Sequence, residues 1–201
     1  MKRLGFTMIE VVLVIVVLGI LAAVAIPRID RDIKQEAADN ILSSIRYTQH
    51  LALTDNKHRH DRNDWQKALW QINFLQSSGN WSYTIGTDMN YDGSLATTEA
   101  AIDPSNGQLM HSSATNPSPN ILLTKKYGIN SITFNNCGSS GIAFDNLGRP
   151  HGGVSSATND LTTYLSNDCQ ITFVSSIFDS NLSIEIKKET GYAYIIGQPN
   201  S

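Results

Sequence analysis

The chain opens with a nearly unbroken apolar segment, Phe6 to Ile26, in which Glu10 is the only charged residue. As an α-helix that rises about 1.5 Å per residue, the segment reaches roughly 30 Å, the thickness of the hydrocarbon core of a bilayer. Lys2 and Arg3 precede it, so the amino terminus is expected on the cytoplasmic side and the remainder outside. The pattern predicts a membrane-spanning helix and an exported domain. A cleaved secretory signal fits poorly, because the charged sequence RIDRDIKQEAADN follows directly.

An apolar stripe with helical spacing continues beyond Pro27. Its positions are Ile29, Ile33, Ala37, Ile41, Ile45, Thr48 and Ala52. Spacings of three and four residues place them on one helix face, which predicts that this face packs on a core. The helix is expected to fade in the segment Thr54 to Asp64. His58 and His60 in that segment have a spacing that suits metal binding, but no carboxylate or cysteine group completes a site, so a solvated turn is the favoured interpretation.

Short runs with strand character follow. ALWQINFLQ, the turn SSGN and WSYTI together predict a hairpin. Later runs are GINSITFNN, SSGIAFDNLGRP, CQITFVSSIF, NLSIEIKKETG and YAYII. Leu182, Ile184 and Ile186 share one face, as a half-buried antiparallel strand requires, and Glu189 to Gly191 predicts a tight turn. The predicted fold class is α+β, with a long amino-terminal helix packed on an antiparallel β-sheet head.

The amino-terminal sequence KRLGFTMIE resembles the cleavage and methylation site of type IV pilins and type II secretion pseudopilins. The resemblance implies that a prepilin peptidase cuts between Gly5 and Phe6 and methylates the new amine of Phe6. It also implies that the Glu10 carboxylate pairs with the terminal amine of a neighbouring subunit. A buried charge is tolerated when it has a partner, so this offers a physical reason for Glu10. The alternative is a plain membrane anchor in which Glu10 is an accident.

Four further segments resemble the GspH/FimT group of minor, H-type pseudopilins and their pilus counterparts. Two are GIAFDNLGRP, residues 141–150, and IEIKKETGYAYI, residues 184–195. The third is the helix end IRYTQHLALTDN, in which Thr48 and Gln49 replace the usual pair of a small residue and an arginine. The fourth is NWSYTIGTDMNYDG, residues 80–93, an aromatic strand followed by an acidic turn. The chain departs from the group in its cysteine pair and in a tail, GQPNS, that lacks arginines.

These features divide the chain into a leader, residues 1–5, a transmembrane and assembly helix, residues 6–27, and a periplasmic part, residues 28–201, with an amphipathic helix and a β-rich head. The formal net charge is −3, and removing Lys2 and Arg3 with the leader takes it to −5. The chain therefore lacks the overall positive charge that is typical of nucleic-acid-binding proteins. Cys137 and Cys169 lie in the part expected outside the cytoplasm, which predicts a disulfide, with two free thiols as the alternative.

An acidic segment matches the twelve-residue calcium-loop pattern D-x-[DN]-x-[DN]-G-x5-E. Its expected ligands are the side chains of Asp88, Asn90, Asp92 and Glu99 and the backbone carbonyl of Ser94. Gly93 permits the sharp reversal between them. A strand, rather than a helix, precedes the segment. The hypothesis is a Ca²⁺ site, and the alternative is an Asp/Asn/Gly-rich turn that holds no ion.

The sequence contains no nucleophile-elbow, metal-hydrolase or phosphate-loop pattern, and no organic cofactor is expected. The favoured function is structural: a single-pass inner-membrane subunit of a type II secretion pseudopilus or type IV pilus-like filament. Its expected partners are other pilin or pseudopilin subunits, the prepilin peptidase and the inner-membrane assembly platform. The alternatives are a DNA-binding minor pilin of a competence system and a membrane-anchored periplasmic enzyme. The sequence leaves open which machine is served.

Overall fold

The computed structural model describes residues 7–138, 140–154 and 163–198; within it the side chains of residues 23–32 are not described. Its main element is the helix α1, Met8–Thr54, which runs for 47 residues. Thr7 caps this helix, and neither Gly19 nor Pro27, residue types that weaken helices, interrupts it. Helix α1 ends at Thr54, where the polar segment was expected to end it.

Strands in the described residues form two antiparallel sheets. The first contains β1 (Trp70–Ser77), β2 (Asn80–Gly86), β4 (Gly141–Phe144) and β5 (Pro150–His151), in the order β2-β1-β4-β5. The second contains β3 (Ile129–Asn135), β6 (Cys169–Ser175), β7 (Leu182–Ile186) and β8 (Ala193–Ile195), in the order β3-β6-β7-β8. The remaining elements are the short helix α2 (Leu123–Tyr127) and 3-10 turns at Trp65–Ala68, Thr97–Glu99 and Pro119–Ile121. The α+β fold is confirmed.

The predicted hairpin forms between β1 and β2. Ser77 pairs with Asn80 across a two-residue turn of Ser78 and Gly79. Both turn residues have positive φ, 50° and 81°, which gives the turn a twist that matches that of the strands. Gly79 takes this conformation without strain because it has no Cβ.

Helix α1 packs against both sheets, and the core lies between them. Five of the seven predicted stripe positions are buried: Ala37, Ile41, Ile45, Thr48 and Ala52. Ile33 is half-buried against the same core, and the side chain of Ile29 lies outside the described residues. Ala38 and Leu42 are also buried, so the packed face is wider than the predicted stripe. Opposite the helix, the ring of Phe74 from the first sheet lies 5.6 Å from that of Phe173 in the second. The aromatic contact joins the two sheets into one head.

The predicted strand SSGIAFDNLGRP is divided in two. It forms β4 and β5, with a reversal between them in which Asp145 N–H donates to Arg149 O and Gly148 N–H donates to Asp145 O. The predicted face of Leu182, Ile184 and Ile186 is confirmed, since all three side chains are buried on β7. The turn at Gly191, φ +68°, returns the chain to β8, as expected.

Candidate functional site

The amino-terminal turn of α1 places Glu10 beside Thr7. Glu10 Oε2 accepts hydrogen bonds from the backbone N–H of Thr7 at 3.1 Å and from its hydroxyl at 3.0 Å. Thr7 Oγ1 in turn accepts from the N–H of Glu10 at 3.4 Å, which completes a capping box. Glu10 therefore has a partner within its own chain. The predicted cleavage residues, Gly5 and Phe6, lie outside the described residues.

The first four turns of α1 present apolar side chains to the surroundings on every side. These exposed residues are Met8, Ile9, Val11, Val12, Leu13, Val14, Ile15, Val16, Val17, Leu18, Ile20 and Leu21. A helix that is apolar all round needs a protein or membrane environment. The predicted span, residues 6–26, includes positions that the structure does not describe. Among the described residues, no helix meets the length and hydropathy needed to cross a membrane.

At the other end of α1, three of the four segments that resemble the GspH/FimT group meet. Gln49 Nε2 donates a hydrogen bond of 2.8 Å to Gly148 O and one of 2.9 Å to Thr190 O. Gly148 is in the β4–β5 turn and Thr190 is in the β7–β8 turn. A Cβ on Gly191 would lie 2.2 Å from Gly148 O, so only glycine allows this approach. One helix residue thus holds both turns.

The β4–β5 turn is organised by the buried carboxylate of Asp145. Its Oδ1 accepts from the N–H groups of Leu147 and Arg149, and its Oδ2 accepts from Arg149 Nε at 2.8 Å. His151 Nε2 lies 3.6 Å from the same oxygen. Burial alone would raise the pKa of Asp145, but the nearby His151 ring and the hydrogen bonds from Arg149 and the backbone outweigh it and hold the pKa well below its ordinary value.

The acidic segment folds into a loop in which the predicted ligands come together, but backbone donors occupy them. Asp88 accepts from the N–H groups of Asp92 and Gly93. Glu99 accepts from those of Met89, Asn90 and Ala96. Asp88 and Glu99 are buried, whereas Asn90, Asp92 and Ser94 are exposed.

Asp92 Oδ1 accepts from the N–H and hydroxyl of Ser94, and these bonds lower the pKa of Asp92. The backbone carbonyl of Ser94, rather than its hydroxyl, was the expected ligand. In the part of the chain that the structure describes, no group of three or more His, Cys, Asp or Glu side chains is placed to hold a metal. Calcium binding stays a prediction, and an ion would have to share or displace some of these N–H donors.

The two cysteines form the predicted disulfide. Cys137 follows β3 and Cys169 begins β6, and their Cα atoms are 4.6 Å apart. Both residues are buried, where β3 has ended and the inner strand β6 begins. The bond closes a loop with a sequence separation of 32 residues, across which β4 and β5 cross to the first sheet.

Another buried carboxylate, Asp103, was not singled out from the sequence. It accepts hydrogen bonds from the hydroxyls of Ser105 and Ser118 and from Asn120 Nδ2. Burial alone would raise the pKa of Asp103, but these bonds lower it overall. Asp103 thus closes the long connection between β2 and α2. The turn sequence DPSNG, which begins at Asp103, was the available signal.

Residues 1–26 match the family model described as the prokaryotic N-terminal methylation motif. No curated protein and no solved structure matches the chain. The motif supports a pilin or pseudopilin-type subunit, a structural rather than an enzymatic class, and suggests processing by a prepilin peptidase and assembly with other pilin subunits.

Proposed function

We propose that the chain is a minor pilin or pseudopilin of the GspH/FimT group, a structural subunit of a type II secretion pseudopilus or a type IV pilus-like filament. After cleavage behind Gly5, residues 6–27 anchor it in the bacterial inner membrane and enter the filament through contacts with other subunits. The head, residues 28–201, stands in the periplasm. The observation that carries this proposal is the methylation motif on a helix that continues without a break into the head.

The exposed apolar start of α1 supports an environment supplied by lipid first and by neighbouring helices after assembly. From Met8 to Leu21 the large apolar side chains lack cover, whereas from Ala37 to Ala52 one face of the same helix is buried in its own head. A subunit that stayed single in water would leave the first part uncovered, at a cost of about 25 cal/mol for each Å² of apolar surface. The first part of α1 is therefore available for contacts with other subunits, whereas the second part packs on the head of its own chain.

Membership of the GspH/FimT group is supported by the meeting of three of the four resembling segments at Gln49. In the group, an arginine usually takes the position of Gln49, after a small residue. Gln49 reaches the carbonyls of Gly148 and Thr190, and an arginine offers more donors for the same acceptors. The double variant Thr48→Ala/Gln49→Arg is therefore expected to remain folded and to incorporate into filaments. Loss of folding in this variant would argue against the group.

The processing part is tested by the intact mass of the chain extracted from membranes. In cells with an active prepilin peptidase, the chain should lack residues 1–5 and carry one added methyl group on Phe6. In cells without the peptidase, the full chain should remain. A mature chain that still begins at Met1 in peptidase-positive cells would contradict the proposal.

The filament part is tested by affinity isolation of filaments sheared or extracted from cells that express an assembly platform. The subunit should copurify with the other subunits only when the peptidase is active. Normal cleavage without incorporation into filaments would support the predicted cleavage site and contradict the filament role.

We also propose that the loop from Asp88 to Glu99 takes Ca²⁺ for stability. The support is the complete twelve-residue pattern and the folding of Asp88 and Glu99 onto the same short stretch of backbone. When bound, the ion supplies charge neutralisation to three carboxylates, and the residues that would hold it are Asp88, Asn90, Asp92, Ser94 and Glu99.

A DNA-binding role gains no support from the carboxy-terminal lysines. Lys187 Nζ lies 2.8 Å from Asp168 Oδ2 and 2.5 Å from Glu185 Oε1. Lys188 Nζ donates to Ser166 O, and its nearest carboxylate, on Glu189, is 3.8 Å away. Because these groups already engage Lys187 and Lys188, the two lysines would neutralise few DNA phosphates.

A further inference from the structure

The loop that follows α1 brings two histidines into ring contact. The imidazole centroids of His58 and His60 are 4.8 Å apart, and the two planes meet at 79°. Both residues are exposed. The ring of His58 also lies 4.7 Å from that of Trp65. The sequence pattern alone favoured a solvated turn here, because it does not show how close two side chains come.

The ring separation agrees with two imidazoles on one metal ion. A metal–nitrogen bond of about 2.0–2.1 Å places the ring centre about 3.2 Å from the ion. For nitrogen–metal–nitrogen angles between square-planar and tetrahedral values, the two ring centres are then about 4.5–5.2 Å apart. The observed 4.8 Å lies inside this interval. Both side chains are exposed, so they can rotate to aim their nitrogens at an ion.

The charges around the pair do not oppose a cation. Lys57 lies 2.5 Å from Asp55, Arg59 lies 2.8 Å from Asp61, and Arg62 lies 2.9 Å from Asp64. Each positive side chain is thus offset by its own aspartate, so repulsion of a divalent ion is reduced. Asp55, Asp61 and Asp64 are in turn engaged by these ion pairs. In the described part of the chain, the imidazole nitrogens of the two histidines have no protein hydrogen bond and remain available as donors to a metal.

We propose that His58 and His60 form a two-histidine site for a divalent transition metal that prefers imidazole, with water completing its coordination shell. Hard cations such as Ca²⁺ prefer oxygen ligands and are not expected here. Among the divalent first-row metals, affinity for such nitrogen sites is greatest for Cu²⁺. A bound ion joins two positions of the loop directly after Thr54 and so fixes the irregular chain at the end of α1. The proposal is independent of the filament role.

The test uses Cu²⁺ alone as the probe and the purified full chain in detergent, without a polyhistidine tag. Because Trp65 touches His58, a paramagnetic ion at the site should quench Trp65 fluorescence. We expect saturable quenching at one Cu²⁺ per chain and an electron paramagnetic resonance spectrum with splitting from nitrogen ligands. Both signals should decrease on acidification, since protons compete for the imidazoles.

Four single variants and one double variant assign the site. His58→Gln and His60→Gln should each abolish the stoichiometric quenching, whereas His50→Gln, which alters an exposed histidine on α1, should leave it unchanged. Trp65→Phe should lose the quenching but keep the nitrogen splitting. The inference is overturned if the His58→Gln/His60→Gln double variant binds Cu²⁺ as the unaltered chain does, or if the spectrum shows oxygen ligands only. Circular dichroism of each variant checks that the fold is retained.

Discussion

Gln49 and Gly148 are joined by a hydrogen bond of 2.8 Å that fixes the end of α1 to the β4–β5 turn. The same Gln49 nitrogen reaches Thr190 O at 2.9 Å, so one amide serves two turns from two sheets. The bond to Gly148 is partly shielded from water. Partly shielded acceptors that lose their donor cannot be fully satisfied by water.

We expect Gln49→Leu to lower the free energy of unfolding by about 1–3 kcal/mol, because it leaves the partly shielded carbonyl of Gly148 without its donor, while the exposed carbonyl of Thr190 can turn to water. Urea denaturation of the full chain in detergent, followed by tryptophan fluorescence, measures this. His50→Leu is the matched control: it changes the next, exposed residue and should have little effect. Equal midpoints for Gln49→Leu and the control would show that the two turns are held by other contacts.

The second prediction concerns Glu10. Replacing it with valine should improve membrane partition, because a carboxylate in an apolar span costs about 2.5–3.5 kcal/mol at the centre and less near an end. Incorporation into filaments should nevertheless fall, because the amine of the neighbouring subunit loses its partner. Co-assembly with the unaltered chain, in cells with an active prepilin peptidase, measures both effects.

Thr7→Val provides the control for Glu10. It removes the hydroxyl that donates to Glu10 but keeps the carboxylate and the backbone N–H contact. If Glu10 acts only as a helix cap, Thr7→Val and Glu10→Val should impair incorporation alike. If it serves a neighbour, Thr7→Val should incorporate well. Equal incorporation of Glu10→Val and the unaltered chain would mean that the charge is incidental.

The third prediction is that the Cys137–Cys169 bond stabilises the head. In the chain-entropy treatment, closing a loop of this length contributes about 3–4 kcal/mol. The double variant Cys137→Ser/Cys169→Ser should therefore unfold at lower urea concentration. Because both cysteines are buried, free thiols must be counted in denaturant. Two reactive thiols in the chain purified without reductant would contradict the bond.

The fourth prediction separates calcium binding from loop packing. Glu99→Ala would remove three backbone contacts as well as a ligand, so it destabilises the loop with or without the ion. Asp92→Asn is the sharper change, because Asp92 is exposed and the amide can still accept from Ser94. Millimolar Ca²⁺ should raise the melting temperature of the unaltered chain and raise that of Asp92→Asn less.

The size of the calcium effect follows from mass action. At a free concentration ten times the dissociation constant, the ion contributes about 1.4 kcal/mol. Adding chelator to the calcium-loaded chain should return its melting temperature to that of the calcium-free chain. Identical melting temperatures with calcium and with chelator, in both proteins, would identify the loop as an ordinary acidic turn.

The fifth prediction concerns acid stability. The pKa of Asp145 is lower in the folded chain than in the unfolded chain. Its contribution to stability is therefore fully present above the ordinary aspartate pKa of about 4 and is lost as the pH falls below that value. Asp145→Asn should be less stable than the unaltered chain at pH 7, and the difference should shrink at pH 3.

Urea denaturation at the two pH values measures this difference. Asp61→Asn is the control, since Asp61 pairs with Arg59 in the open and should give a small, similar change at both pH values. A stability difference for Asp145→Asn that is the same at pH 3 and pH 7 would show that the carboxylate acts through shape rather than charge.

Local patterns predicted much of this fold because local forces dominate those parts. The stripe from Ala37 to Ala52 and the turn at Ser78 and Gly79 depend on residues a few positions apart. The position of the disulfide also followed from cysteine count and expected compartment. The long helix, the hairpin and the β7 face therefore agree between sequence and structure.

Pairings between distant segments were not predictable in the same way. An alternating pattern shows which face of a strand is buried but not which strand lies next to it. It therefore could not show that β4 pairs with β1 rather than with the preceding strand β3, with Ile72 opposite Ile142. Nor could it show that Gln49 would serve two turns about 100 and 140 positions away. Contacts between residues so far apart in sequence depend on the three-dimensional fold, which local patterns do not show.

Because α1 runs unbroken from Met8 to Thr54, it is one continuous helix about 70 Å long. A pull on its amino-terminal end would reach the head as shear along the helix axis. Lys34 holds Asp179 early on this path, Arg46 holds the Ala193 carbonyl farther on, and Gln49 holds Gly148 near the end. Contacts loaded in parallel share the force, whereas contacts peeled in series fail one by one. The three contacts lie along the length of the helix, so a load along its axis would be divided among them.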